Sequence, residues 1–308
     1  SDRPPLTADR TPCLGAGGAV VGRRGAVKRP RWAALLGKVR DMFVVSVCSL
    51  KGGVGKTSIV LGLAAAARAR GLTTLVVDLD PQGDATYALG VDAPGAVSAD
   101  VLERPKRKVL ERAIVPAGWP RGNADLHVLP SSDATANLDR PDADGEQLHT
   151  LRTALGKLDY DLVLIDAPPS LSGLTRSALV ASDRAVVVTE AGAFAVNAVT
   201  RLFAAIDEIR RTEAGGLQPL GIVLNRYKPS MAEQRAQRAA LERAFGPLVL
   251  SPTLPDRAVV PKAQGARAPL DAMSGGAAAL QGFELLLGRI ERASRLTRRS
   301  DRRASASA

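Results

Sequence analysis

The chain has 308 residues, of which 45% are hydrophobic, 3% aromatic and 24% charged, an ordinary globular composition. No apolar run approaches the ~18 residues of a membrane span. The only cysteines, Cys13 and Cys48, form neither a disulfide framework nor a CxxC metal pair, so a cytoplasmic, reducing location is expected. The formal net charge of +11 belongs to the ends: residues 1–41 carry nine Lys and Arg against three Asp, and residues 289–308 carry seven Arg against two acids. The core between them, 42–288, holds 26 side chains of each sign and is neutral.

Residues 1–41, rich in Pro, Gly, Ala and Arg, read as a disordered basic extension, or as an upstream misreading of a start at Met42. No apolar stretch long enough for a signal peptide follows the arginines. From 42 to 292 strand-like and helix-like segments alternate. This predicts an α/β fold, a doubly wound, mostly parallel sheet with helices on both faces. Strands are expected at 43–49, 72–78, 126–129, 162–166, 185–189, 220–225 and 248–250. Helices are expected at 58–70, 147–158, 174–181, 196–211, 231–245 and 276–292, and residues 293–308 read as a disordered Arg-rich tail.

The first strand runs into KGGVGKT, Lys51 to Thr57. The general phosphate-loop pattern is G-x-x-x-x-G-K-[ST], in which backbone N–H groups curl around phosphates while Lys and Ser/Thr reach the terminal phosphates and Mg2+. Leu50 stands where that pattern has its first glycine, so the general pattern fails there and an extra lysine, Lys51, precedes the glycines. Strand, glycine loop and Ala/Leu-rich helix occur in the order that aims a helix N-terminus at an anion. Two further motifs end predicted strands: VDLDPQGDAT from Val77 and LVLIDAPPSL from Leu162.

These three motifs, in this order, resemble the ParA/MinD group of deviant Walker ATPases, most closely the ParA branch that partitions chromosomes and plasmids. The resemblance runs from about Phe43 to Arg292 and implies a P-loop NTPase that binds ATP and Mg2+, dimerises face to face and hydrolyses slowly. It assigns the phosphates to Lys51, Gly52, Gly53, Val54, Gly55, Lys56, Thr57 and Ser58, and Mg2+ to Thr57 and, through water, to Asp166. Asp80 is the first candidate for placing the attacking water, with Asp78 the second. Lys51 is expected to reach the partner subunit's nucleotide. Asn225 is expected to read adenine, with the loop carrying Pro255 and Asp256 flanking the ring. The family's usual Asn after DPQG is Asp84 here.

The resemblance further implies a ParB-like activator and nonspecific DNA binding by the ATP dimer, hence nucleoid association. Two basic positions used for this in the family fall near Ser230 and Val259, neither of which neutralises phosphate. Substitutes lie nearby in Arg226, Lys228, Arg235, Arg238, Lys262 and Arg267, besides the Arg-rich end. A MinD-like membrane role is the alternative, resting on the stripe Leu280, Phe283, Leu287 and Ile290. That stripe is more simply the last helix packing on the core. A regulatory or scaffold ATPase with a protein-cluster cargo is a third reading. Iron–sulfur reductase chemistry would need cysteine ligands that the chain lacks.

Overall fold

The computed structural model describes residues 42–306, with side chains to residue 295, so the expectations for 1–41 lie outside the described residues. The strand β1 (Phe43–Cys48) is buried along its whole length. Its apolar side chains alternate between two clusters, Phe43, Val45 and Val47 on one face and Val44 and Cys48 on the other, as a parallel strand covered on both sides requires. The chain continues through α1 (Lys56–Ala69), β2 (Thr74–Asp78), three short helices α2 (Asp84–Ala88), α3 (Ser98–Glu103) and α4 (Arg107–Ala113), then β3 (Val115–Pro116) and β4 (Leu126–Leu129). There follow α5 (Gly145–Leu155), β5 (Leu162–Asp166), α6 (Gly173–Ala181), β6 (Arg184–Thr189), α7 (Ala195–Thr212), β7 (Gln218–Leu224), α8 (Ala232–Phe245), α9 (Val259–Gly265) and α10 (Gly276–Ala306).

The sheet order is β3-β4-β2-β5-β1-β6-β7, parallel throughout except for the short β3. β1 lies between β5 and β6. From β1 the chain goes one way, through α1, to β2, and from β5 it crosses the other way, through α6, to β6. The helices α1 and α6 belong to the opposite apolar clusters. The carboxyl end of β1 is therefore a topological switch point, where doubly wound sheets open a ligand crevice. In register, Val47 stands beside Asp166, and Asp166 beside Asp78.

Three differences from the sequence expectation have local causes. The segment 248–250 forms no strand; Gly246–Leu248 is a 3-10 turn, and Val249 makes a single parallel bridge to Ile222. Pro247 and Pro252 flank this piece and offer no N–H for a ladder. The helices α2, α3, α4 and α9 were not anticipated, since each is two turns or fewer and too short to display a periodicity. Helix α10 continues to Ala306 rather than ending near Arg292, because residues 293–306 contain neither Gly nor Pro to stop it.

The stripe on α10 is core. Leu280, Phe283, Leu287 and Ile290 are all buried in the cluster that includes α1. The Phe283 ring lies so close to Gly62 of α1 that a Cβ there would approach it to 2.4 Å. Among the described residues no helix is long and apolar enough to cross a membrane. Truncating Phe283 to Ala is expected to cost about 3–5 kcal/mol of stability, and Leu285→Ala, on the exposed side of the same helix, less than about 0.5 kcal/mol. Urea unfolding of the two variants measures the difference, and equal midpoints would place the stripe outside the core.

Candidate functional site

The loop between β1 and α1 is shaped by its glycines. Gly53 (φ 76°) and Gly55 (φ 90°) occupy the left-handed region, and Gly55 is also the residue that caps α1. An added Cβ at Gly55 would come within 2.3 Å of the Asn225 amide nitrogen, so glycine is required twice over. The Ser49 hydroxyl accepts the Lys51 N–H at 3.1 Å and starts the turn. No acidic side chain stands in the first turn of α1, leaving its positive end open to an anion. The two lysines differ: Lys56 is 6% exposed and lies inside the loop, whereas Lys51 is exposed outside it.

The ends of β2 and β5 bring three carboxylates beside the loop. Asp166 is fully buried; its Oδ2 accepts the Thr57 hydroxyl at 2.7 Å, and its Oδ1 has no partner. Asp78, also fully buried, accepts the Thr86 N–H at 2.8 Å, the Thr86 hydroxyl at 2.7 Å and the Asp80 N–H at 3.1 Å. It is a brace for the turn into α2. β2 ends at Asp78, so Asp80 does not share its face by strand alternation; it lies in the turn, half-buried, and accepts the Gln82 N–H at 3.2 Å. Asp80 lines the open cavity, which favours it over Asp78 for meeting a water.

Burial pushes the Asp78 carboxyl up to about 7, against the hydrogen bonds from Thr86 and Asp80 that pull it down. Burial and then the neighbouring Asp78 hold Asp166 well above the usual carboxylate range, with Thr57 and Lys56 opposing. A buried, partnerless carboxylate oxygen next to a threonine hydroxyl and two more carboxylates is a place that favours a hard cation. Among the described residues no three His, Cys, Asp or Glu side chains form a metal cage. Burial pushes the Cys48 thiol up to about 12, leaving it inert.

Two cavities adjoin the loop. One of about 420 Å3 is lined by Gly52, Gly53, Gly55, Lys56, Thr57 and Asp80, with Gln264 at its edge. The other, about 210 Å3, is lined by Asn225, Leu254, Pro255, Asp256 and Val260. Ser58 and Arg226 line both. Asn225 is buried and donates its amide to the Val54 carbonyl at 2.8 Å. A third hollow of about 500 Å3 lies on the other side of Lys51, beside Phe194, which is 80% exposed.

The basic residues expected at DNA are mostly engaged within the chain. Arg226 donates to the Gly53 carbonyl at 2.6 Å and to Glu190 at 3.2 Å, and Lys228 pairs with Asp256 at 2.8 Å. Arg235 bonds the carbonyls of Pro229 and Ser230. Arg238 pairs with Glu242 at 2.8 Å over the Tyr227 ring. Arg267 pairs with Asp92 at 2.7 Å over the Tyr87 ring, and Lys262 is exposed. These six do not make one free basic patch.

Sequence reasoning missed Thr86, Gln264 and Glu190. Thr86 lies within the VDLDPQGDAT run and could have been suspected as the partner of a buried aspartate. Gln264, which donates to the Ser58 hydroxyl at 3.0 Å, comes from the unanticipated α9 and carried no signal.

The Asp78–Asp166 pair has a measurable consequence. A carboxyl whose folded value lies above its unfolded one binds an extra proton in the folded chain, so stability is greatest at low pH and falls as pH rises through the window between them. The ligand-free chain is expected to lose stability between about pH 4 and about pH 7, and Asp78→Asn to flatten that slope. Urea midpoints measured across the window check it; an unchanged slope in the variant would remove Asp78 as the source.

Comparison with known proteins agrees with this architecture. A family model described as an AAA domain matches residues 42–218. The chromosome-partitioning ATPase Soj of Thermus thermophilus is 36% identical over 217 residues, covering 68% of this chain and 80% of that protein. The chromosome partitioning protein ParA of Caulobacter vibrioides is 31% identical over 224 residues, covering 69% and 80%. Among solved structures, a cobyrinic acid a,c-diamide synthase from Mycobacterium smegmatis with bound ADP and magnesium superposes with a TM-score of 0.67 at 25% identity, over 80% of this chain and 93% of that one. The matched family model spans the glycine loop, Asp80 and Asp166, more than half of the chain, and with the Soj likeness this makes the chain a member of the ParA/MinD family of P-loop ATPases.

Proposed function

We propose that the chain is an ATP-gated dimerising switch that partitions or positions DNA, hydrolysing ATP slowly until an activator stimulates it. The observation that carries this reading is the pair of lysines on one loop, Lys56 turned into the site and Lys51 exposed outside it. One lysine serves the chain's own phosphates; the other is free to serve a partner's. Lys51 also borders the hollow beside Phe194, so a cation and a large exposed apolar side chain share the face that a second subunit would cover. A buried ammonium without its phosphate costs several kcal/mol, so loss of the γ-phosphate releases the pair.

Within one subunit, the α1 N-terminus and Lys56 bind the phosphates and stabilise charge on the γ-phosphoryl group as it transfers to water. Thr57 and, through water, Asp166 would hold Mg2+, which neutralises charge on the phosphate oxygens. The partnerless Asp166 oxygen fits that assignment. Asp80 orients the attacking water, whose oxygen bonds to the γ-phosphorus as the bond to the ADP oxygen breaks. The cavity with Asn225, Pro255 and Asp256 takes the base.

Partitioning is favoured over other uses of the fold because the Soj relative is 36% identical, against 25% for the synthase. The buried α10 stripe leaves a membrane-bound reading without its apolar face among the described side chains. DNA contact then falls to Lys262 and the Arg-rich end, with a ParB-like protein as the activator and the cytoplasm, at the nucleoid, as the location.

Light scattering with Mg2+ and ATP tests the switch. The wild-type chain is expected to dimerise with ATP and not with ADP, and Lys51→Ala to stay monomeric. Asp80→Ala should accumulate as the ATP dimer, with hydrolysis reduced by about 10²-fold or more. An Asp80→Ala chain that remains monomeric with ATP would sink the mechanism.

A further inference from the structure

We propose that Arg226 is a positioning residue that latches the glycine loop into its anion-binding shape, with Glu190 holding the latch. The proposal rests on reading the loop as a nucleotide site, and adds to that reading a residue outside the three motifs. In a trans peptide the carbonyl of one residue and the N–H of the next point in opposite directions. A loop whose N–H groups converge on a phosphate must therefore turn the preceding carbonyls outward, where each needs a donor.

Two consecutive residues after β7 supply those donors. Arg226 Nη1 donates to the Gly53 carbonyl at 2.6 Å, and Asn225 Nδ2 to the Val54 carbonyl at 2.8 Å. The N–H groups of Val54 and Gly55 are thereby directed the other way, away from Arg226 and Asn225. Packing fixes Val54, which is buried, but does not hold the first half of the loop, because Gly52 and Gly53 are exposed and a Cβ on either would meet nothing within 4 Å.

The backbone is bent to the purpose. Arg226 has φ 51°, in the region that side-chain-bearing residues avoid, two residues past the end of β7. Its Nη1 also reaches Glu190 Oε1 at 3.2 Å, just beyond the end of β6. One guanidinium nitrogen thus ties the loop to the ends of two strands, β6 and β7. Arg226 also lines both cavities, so a nucleotide spanning them passes it. The sequence had grouped this arginine with DNA-binding candidates; its partners make it part of the nucleotide site.

Full-length chain and the variants Arg226→Ala, Arg226→Lys and Glu190→Gln should be compared by titration with a fluorescent ATP and a fluorescent ADP plus Mg2+. Hydrogen exchange of the segment 49–57 without nucleotide is the second measurement. The latch predicts that Arg226→Ala raises the Kd for both nucleotides by about tenfold, the weight of one charge-assisted hydrogen bond. It also predicts faster exchange of the loop amides with β1 unchanged, partial recovery of both in Arg226→Lys, and a smaller effect of Glu190→Gln. Wild-type nucleotide affinity and loop exchange in Arg226→Ala, with weakened DNA binding instead, would overturn the latch. Failure of the wild-type chain itself to bind either nucleotide would sink the site reading, and the exchange comparison would still decide the latch.

Discussion

The burial of Asp166 governs the site. A carboxylate withdrawn completely from water, with one oxygen satisfied by Thr57 and the other by nothing, is tolerable only beside positive charge or with a proton. The fold surrounds it accordingly. Parallel pairing of β2, β5 and β1 brings Asp78, Asp166 and the loop lysine to one strand end, and α1 points its positive terminus at the same spot. The three motifs, at 51–57, 77–86 and 162–171 in the chain, converge because side-by-side strands put their ends together.

Much of this was legible in the sequence because the elements that build it are strongly patterned. β1 and β5 are continuous apolar runs that could be read as doubly covered strands, and their bounds differ from expectation by a residue or less. The glycines of the loop declared a backbone that only glycine adopts, and the α10 stripe declared a buried face. What could not be read was either short or irregular. Helix α9 is seven residues long, yet it carries Gln264 to the mouth of the site. Asp78 and Asp80 are two residues apart and chemically identical; only the end of β2 between them separates brace from water-positioning candidate. Arginine side chains were the least legible, since charge in a sequence does not say whether a carboxylate waits nearby.

The distribution of charge looks different once those pairings are known. The core is formally neutral, with Arg267, Arg226 and Arg238 paired to Asp92, Glu190 and Glu242, and the excess charge lies in the terminal segments. Surface pairs of this kind are individually weak. On the proposed reading a polyanion competes for some of them, and attraction to DNA depends steeply on salt.

The opposite exposures of Lys51 and Lys56 carry a last consequence. On the proposed reading each nucleotide is completed by a lysine from the other subunit, so no single chain owns a whole site. The population of finished sites then grows with the square of the free subunit concentration. An intact chain paired with one defective at a single lysine would keep one finished site of two, so the share of dimers with both sites finished would fall as the square of the intact fraction. Such a switch has a threshold built into its stoichiometry: sparse subunits stay idle however much ATP is present, and locally crowded ones engage together.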